Sequence, residues 1–300
     1  MVVASEALII GGMSKHHTGW LLLLLLSACS AGGGSPEDLP GTPSEVAPEP
    51  EFAATSGPPP TVVIEQPGAC EHLLWPLHDG ASWVYQLTRS AEANVQSLSL
   101  ETRVSGEAAT LTLVAGERQV EHAITCAPDG FYGPPGGLVG HPDLGGALAL
   151  TNPDRPFLPS ADQLLPFGTP VSWDVQYDAS GALALPLGDG AVEMTVSGGE
   201  VVLYMTAQAL EPISVPAGTV NALAVEQSIF FNLQLTSADG SPGSLFGDTL
   251  SRLYFAEGTG LVRQTFEGGT LSGMVGQTPF AVELQAGISQ DLLEYRAPPP

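Results

Sequence analysis

The chain has 300 residues, with eight basic against 32 acidic side chains, a formal net charge of −24, 36 glycines and 27 prolines. That balance excludes nucleic acid as a partner and electrostatic docking on anionic lipid, since both need clustered Lys or Arg. Much of the acidity keeps an apolar, glycine-rich chain soluble.

The first element in chain order is the apolar run Trp20 to Leu26. A bilayer span needs roughly 20 apolar residues, and extension backwards meets Thr18, His17, His16 and Lys15, so a spanning helix is excluded. Basic residues, a short apolar segment and small residues before a cut match a secretory signal over residues 1–28. Glu6 and the apolar patch around it are poor leader chemistry, and a start at Met13 gives a more regular signal.

The block Leu26-Ser27-Ala28-Cys29 resembles the lipobox of bacterial lipoproteins. The resemblance implies that the Cys29 thiol receives a diacylglycerol, that the peptide is cut just before it, and that the new amine is acylated, palmitate being the expected acyl group. Only a thiol is nucleophilic enough for that transfer, and two or more chains anchor stably where one does not. Ser30 rather than Asp after the cysteine implies, by the same resemblance, the outer membrane. The bland alternative is an ordinary signal followed by an incidental cysteine.

With Cys29 assigned to lipid, Cys70 and Cys126 remain. An even remainder in an oxidising compartment reads as one disulfide, stabilising by roughly 4 kcal/mol in the chain-entropy model. Two free thiols are the alternative, without any C-x-x-C spacing to support them. Residues 29–68 are dominated by Gly, Ser, Pro, Glu and Ala, the composition of a disordered tether. As a flexible coil the tether has an r.m.s. span of roughly 35 Å.

From Glu71 onward the pattern has period two. Trp83, Tyr85 and Leu87 share a face, as do Val120, His122, Ile124 and Cys126; Val171, Trp173, Val175 and Tyr177; Val192, Met194 and Val196; and Phe280, Val282 and Leu284. The longest case runs Leu223, Val225, Gln227, Ile229, Phe231, Leu233, Leu235, about 43 Å of strand that must twist. Gly, Asp and Pro punctuate these runs. Helix candidates near Asp162–Leu165 and Gly287–Leu293 are short. Residues 69–296 therefore read as one all-β domain, an antiparallel strongly curved sheet (half-barrel) or sandwich. Residues 133–170 read as a loop-rich surface excursion.

Three segments, PLHDGASWVYQL (76–87), ISVPAGTVNALAVE (213–226) and LYFAEGTGLVRQ (253–264), together resemble a family of secreted bacterial lipoproteins called TapB-like, grouped with relatives of the LolA/LolB curved-sheet fold. Thr219-Val220 and Thr259 depart modestly from the family pattern. The resemblance implies a concave sheet. Lined by Trp83, Tyr85, Trp173, Tyr177, Phe231 and Phe255, it would form an apolar face for a ligand such as an acyl chain. The bland alternative is that these side chains pack against one another.

No catalytic constellation is present. G-x-S-x-G is missing, and Arg263 stands where the third glycine of G-x-G-x-x-G belongs. His72, His78 and Asp79 match no metal-ligand spacing, and His122 reads as a core histidine. Asp174 and Asp178, about 13 Å apart along a strand, are too distant for a glycosidase pair. Asp239 and Asp248 lack the calcium-loop pattern. The alternative, an envelope hydrolase, would need polar side chains converging from loops, for instance His141 near Asp143 or Asp154. The sequence thus implies an outer-membrane-anchored lipoprotein acting as a non-enzymatic binding or assembly module, with no cofactor and no metal. Its expected partners are the membrane, through the lipid anchor, and a protein of the envelope.

Overall fold

The computed structural model describes residues 68, 70–89, 96–116, 118–134, 144–164, 169–187 and 190–298. The expected signal, Cys29, His141 and Asp143 lie outside the described residues, as does all of the expected tether but Gly68. In chain order the strands are β1 (Glu71–His72), β2 (Trp75–Pro76), β3 (Ser82–Arg89), β4 (Gln96–Ser105), β5 (Ala108–Ala115), β6 (Arg118–Ala127), β7 (Gly130–Tyr132), β8 (Gly145–Thr151) and β9 (Leu158–Pro159). One helical turn, α1 (Ala161–Leu164), precedes β10 (Val171–Leu187), β11 (Gly190–Val215), β12 (Gly218–Ser237), β13 (Pro242–Ala256), β14 (Gly260–Val275), β15 (Thr278–Leu284) and β16 (Ile288–Arg296).

Strands β1 and β2 form a hairpin of their own. The others make one curled antiparallel sheet in the order β8-β10-β11-β12-β13-β14-β16-β3-β4-β5-β6-β7-β9, with β15 also on β14. Period two explains the curl. In β12, Leu223, Val225, Gln227, Ile229, Phe231, Leu233 and Leu235 are all buried, while Glu226, Phe230, Asn232 and Gln234 between them are exposed. A sheet wet on one side only, built from strands this long, rolls its apolar face inward. Bulges at Val196/Gly198 and Ala207/Leu210 bend β11 further.

The sheet forks at β14. Arg263 to Phe266 pair with β16, whereas Gly269 to Val275 pair with β15. Gly269 is required at the fork, because a Cβ there would stand 2.2 Å from the Asp248 carbonyl oxygen.

Two inserted segments fill the inner side. One is the β1–β2 hairpin, whose Leu74, Trp75 and Leu77 are buried. The Trp75 ring lies 6.2 Å from Phe157 and 6.2 Å from Phe255, and Cys70 is disulfide-bonded to Cys126 of β6. The other is 157–164, where Phe157, Leu158 and Leu164 are buried in the same core. The segment expected to be a surface excursion thus contributes strand β8, pairing β10, and part of the interior. Its apolar residues, such as Ala147-Leu148-Ala149-Leu150 and Phe157-Leu158, occupy both phases and so show no period.

Helix α1 falls on one short helix candidate. The other, Gly287–Leu293, instead lies in strand β16 from Ile288 onward, with Ile288, Gln290 and Leu292 alternating inward. Val120 and Val192, expected to face inward, are exposed. Each is the third residue of its strand, near the strand end.

Candidate functional site

The six aromatic residues expected to line an open concave face do not form one. Trp83, Tyr85, Tyr177, Phe231 and Phe255 are buried in the core, and Trp173 packs half-buried against it. Their polar atoms are engaged inside the fold. The Trp83 indole donates to the Thr259 carbonyl and the Tyr85 hydroxyl to that of Leu261. Trp173 donates to Phe157 at 3.0 Å and Tyr177 to Gly133 at 2.9 Å. Burial pushes the Tyr85 and Tyr177 hydroxyls well above the usual phenol range. Trp173 and Phe255 hold the inserted segments to the sheet, at Phe157 and Trp75, and the open face anticipated from alternation alone is taken up by packing.

The three segments that carry the family resemblance converge. The tight turn between β13 and β14 lays Gly260 against Trp75 and Trp83, where a Cβ would meet the Trp75 ring at 2.7 Å. Three residues beyond that contact, Arg263 ion-pairs with Asp291 of β16 and donates at 2.8 Å to the Ser214 carbonyl. The Val215-Pro216-Ala217-Gly218 turn then donates its Ala217 N–H to Leu292 at 3.0 Å. The segments are structural clasps.

Titratable groups on the inner side serve the same end. His72 accepts at Nδ1 from the Leu74 N–H and donates from Nε2 to the Pro159 carbonyl, which fixes the neutral tautomer. Burial lowers the His72 pKa, and burial likewise lowers that of His122. At the exposed surface, Asp79 accepts from the Val104 N–H, Asp239 from the Ser241 N–H, and His78 lies 3.7 Å from Glu71. Among the described residues no three metal-ligating side chains come together.

A run of exposed aromatic and thioether side chains lies on the outer face. Tyr204 of β11, Phe230 of β12, Phe246 of β13 and Met274 of β14 are exposed by 51%, 45%, 49% and 44%. Register places each one strand across and two residues along from the last: Tyr204 faces Ser228, Phe230 faces Asp248, Phe246 faces Ser272, and Met274 faces Ser244. They form a diagonal ridge with steps of about 7–8 Å. The Tyr204 and Phe230 rings meet edge-on at 5.3 Å.

Beside the ridge lies an open cleft of about 380 Å³, lined by Glu200, Val202, Phe230, Asn232, Phe246 and Asp248 among others. Glu200, Asn232 and Asp248 have no side-chain partner among the described residues. Glu200 stands directly opposite Asp178 of β10, two carboxylates side by side. Two guanidinium groups on this side of the sheet are engaged, Arg155 with Asp174 at 3.2 Å and Arg252 with Glu211 at 3.3 Å.

Sequence reasoning passed over this ridge. Its signal is legible in hindsight: Phe230 occupies the polar phase of the most regular strand, where a large apolar residue has no core to enter.

No family model matches the chain, and no curated protein does. Two solved structures do. One, from Bacteroides fragilis NCTC 9343, is described as an exported protein with a YmcC-like fold; it is 12% identical, covers 75% of this chain and 100% of its own, and has a TM-score of 0.41. The other, described as a lipoprotein from Parabacteroides distasonis ATCC 8503, is 13% identical over 75% of this chain and 99% of its own, with a TM-score of 0.38. Fold and site define an all-β half-barrel that fills its own concavity and keeps its free aromatic and acidic groups outside.

Proposed function

We propose that the chain is an exported lipoprotein of the cell envelope, held to the outer membrane by palmitoyl-type acyl groups on Cys29. Its β-domain stands beyond a tether and binds a partner on its outer face rather than catalysing a reaction. The observation that carries this reading is the pairing of Cys70 with Cys126. It leaves Cys29 as the remaining cysteine, behind a lipobox-like block, and a structural disulfide belongs to an oxidising compartment. The exposed aromatic ridge supports the outer face, because contiguous exposed apolar surface marks an interaction site.

Metabolic labelling with an alkyne palmitate tests the anchor. The wild-type chain takes up label and sediments with outer-membrane fractions, and Cys29→Ser loses both. Undiminished labelling and membrane retention of Cys29→Ser contradicts the anchor.

A further inference from the structure

We infer that the ridge Tyr204–Phe230–Phe246–Met274 and its cleft dock an extended basic segment of a protein partner, with Arg or Lys alternating with apolar residues. The inference rests on the outer-face reading and supplies the chemistry of the occupant.

Charge decides between occupants. Glu200 and Asp248 border the cleft without a counter-ion, and Asp178 faces Glu200 directly across the strand pair. Like charges directly opposite on a sheet are destabilising, and a cation placed between them removes that cost. A second copy of this chain docked ridge to ridge would bring together carboxylates from both copies. An anionic lipid surface meets the same repulsion. An apolar lipid would desolvate Glu200, Asn232 and Asp248 with nothing to pair them.

A basic segment satisfies each group. Guanidinium groups form charge-assisted hydrogen bonds with carboxylates and lie favourably over aromatic faces. Alternate residues of an extended chain recur every 6.6–7 Å or so, close to the 7–8 Å step of the ridge. Apolar side chains on the sheet-facing side of such a segment therefore follow the diagonal, while the long basic side chains from its other side bend back over the strand edge to the flanking carboxylates. Met274 suits such a surface, since its unbranched thioether adapts to what packs on it.

Two measurements test this. Full-length protein in detergent is titrated with extended peptides of about eight residues, enough to span the ridge, alternating Leu with Arg or Leu with Gln. The Leu/Arg peptide binds the wild-type protein about tenfold tighter than the Leu/Gln peptide, as expected for two rim ion pairs. Glu200→Gln with Asp248→Asn abolishes that preference. Glu101→Gln with Glu121→Gln, which removes the same charge from β4 and β6, leaves it intact. Equal loss in both double variants shows only the overall charge of the protein acting and overturns the proposal.

In cells, p-benzoylphenylalanine replaces Phe230 or Phe246, and the cross-linked segment is identified by mass spectrometry. A segment bearing alternating Arg or Lys supports the inference. A glycan, a lipid or a segment without basic residues overturns it while preserving the outer-face reading. Absence of any adduct at both positions overturns both.

Discussion

Trp83 donates its indole N–H to the carbonyl of Thr259, 176 residues further along the chain. The bond joins the first strand of the large sheet to the turn between β13 and β14, and Gly260 next to it lies against Trp75 and Trp83. This turn has two glycines with positive φ in different settings. Gly258 has φ +68° and open space around its α carbon; Gly260 has φ +101° and the Trp75 ring where a Cβ would stand. Gly258→Ala is therefore expected to cost about 1 kcal/mol, the conformational penalty alone. Gly260→Ala is expected to cost about 3 kcal/mol or more, because overpacking adds to strain. Denaturant unfolding of the two variants checks the order.

Arg263 binds two elements at once, Asp291 and the Ser214 carbonyl. Arg263→Met removes both and leaves Asp291, with its side chain only 15% exposed, beside no cation. A loss of about 2 kcal/mol is expected. Adding Asp291→Asn recovers part of it by removing the unpaired charge, a coupling that a double-mutant cycle measures.

Acid should loosen the inner hairpin. Burial lowers the His72 pKa, so the neutral imidazole is the folded form and the unfolded chain takes up its proton first, near pH 6.5. The stabilising contribution is complete above that pH and is lost as the pH falls through the lower folded value. His122 adds in the same direction. Thermal unfolding between neutral pH and pH 5 is expected to show a falling Tm, with a shallower slope in His72→Gln. An unchanged slope in that variant contradicts the assignment to His72.

The disulfide ties the inner hairpin to β6 across 56 residues of sequence. Replacing both cysteines with alanine is expected to cost about 4 kcal/mol by loop entropy. Trp75 and Leu74 in the released hairpin become more accessible, and hydrogen exchange of residues 70–77 relative to β12 reports it.

Period-two alternation makes the sheet legible in the sequence. The seven alternate residues from Leu223 to Leu235 are all buried in the structure, because a regular strand offers its core no other phase. The filling of the concavity was hidden, since it depends on Trp75, Phe157 and Leu164 arriving from short segments without a period of their own. The outer ridge was hidden for another reason. Tyr204, Phe230, Phe246 and Met274 are far apart in sequence and become neighbours only through the register of four strands. VPAGT and AEGTG were readable as turns, but that one docks on β16 and the other against two tryptophans follows from the fork at β14.

The most direct test of the account is hydroxyl-radical footprinting of the full-length protein, purified in detergent and in intact cells. Met274 and Tyr204 are exposed and oxidisable, while Met194 and Met205 are buried and serve as internal references. The account predicts ready oxidation of Met274 and Tyr204 in the purified protein and several-fold protection of both in cells, with the buried methionines unchanged. Equal oxidation of the ridge in both settings would contradict the outer face as the binding surface.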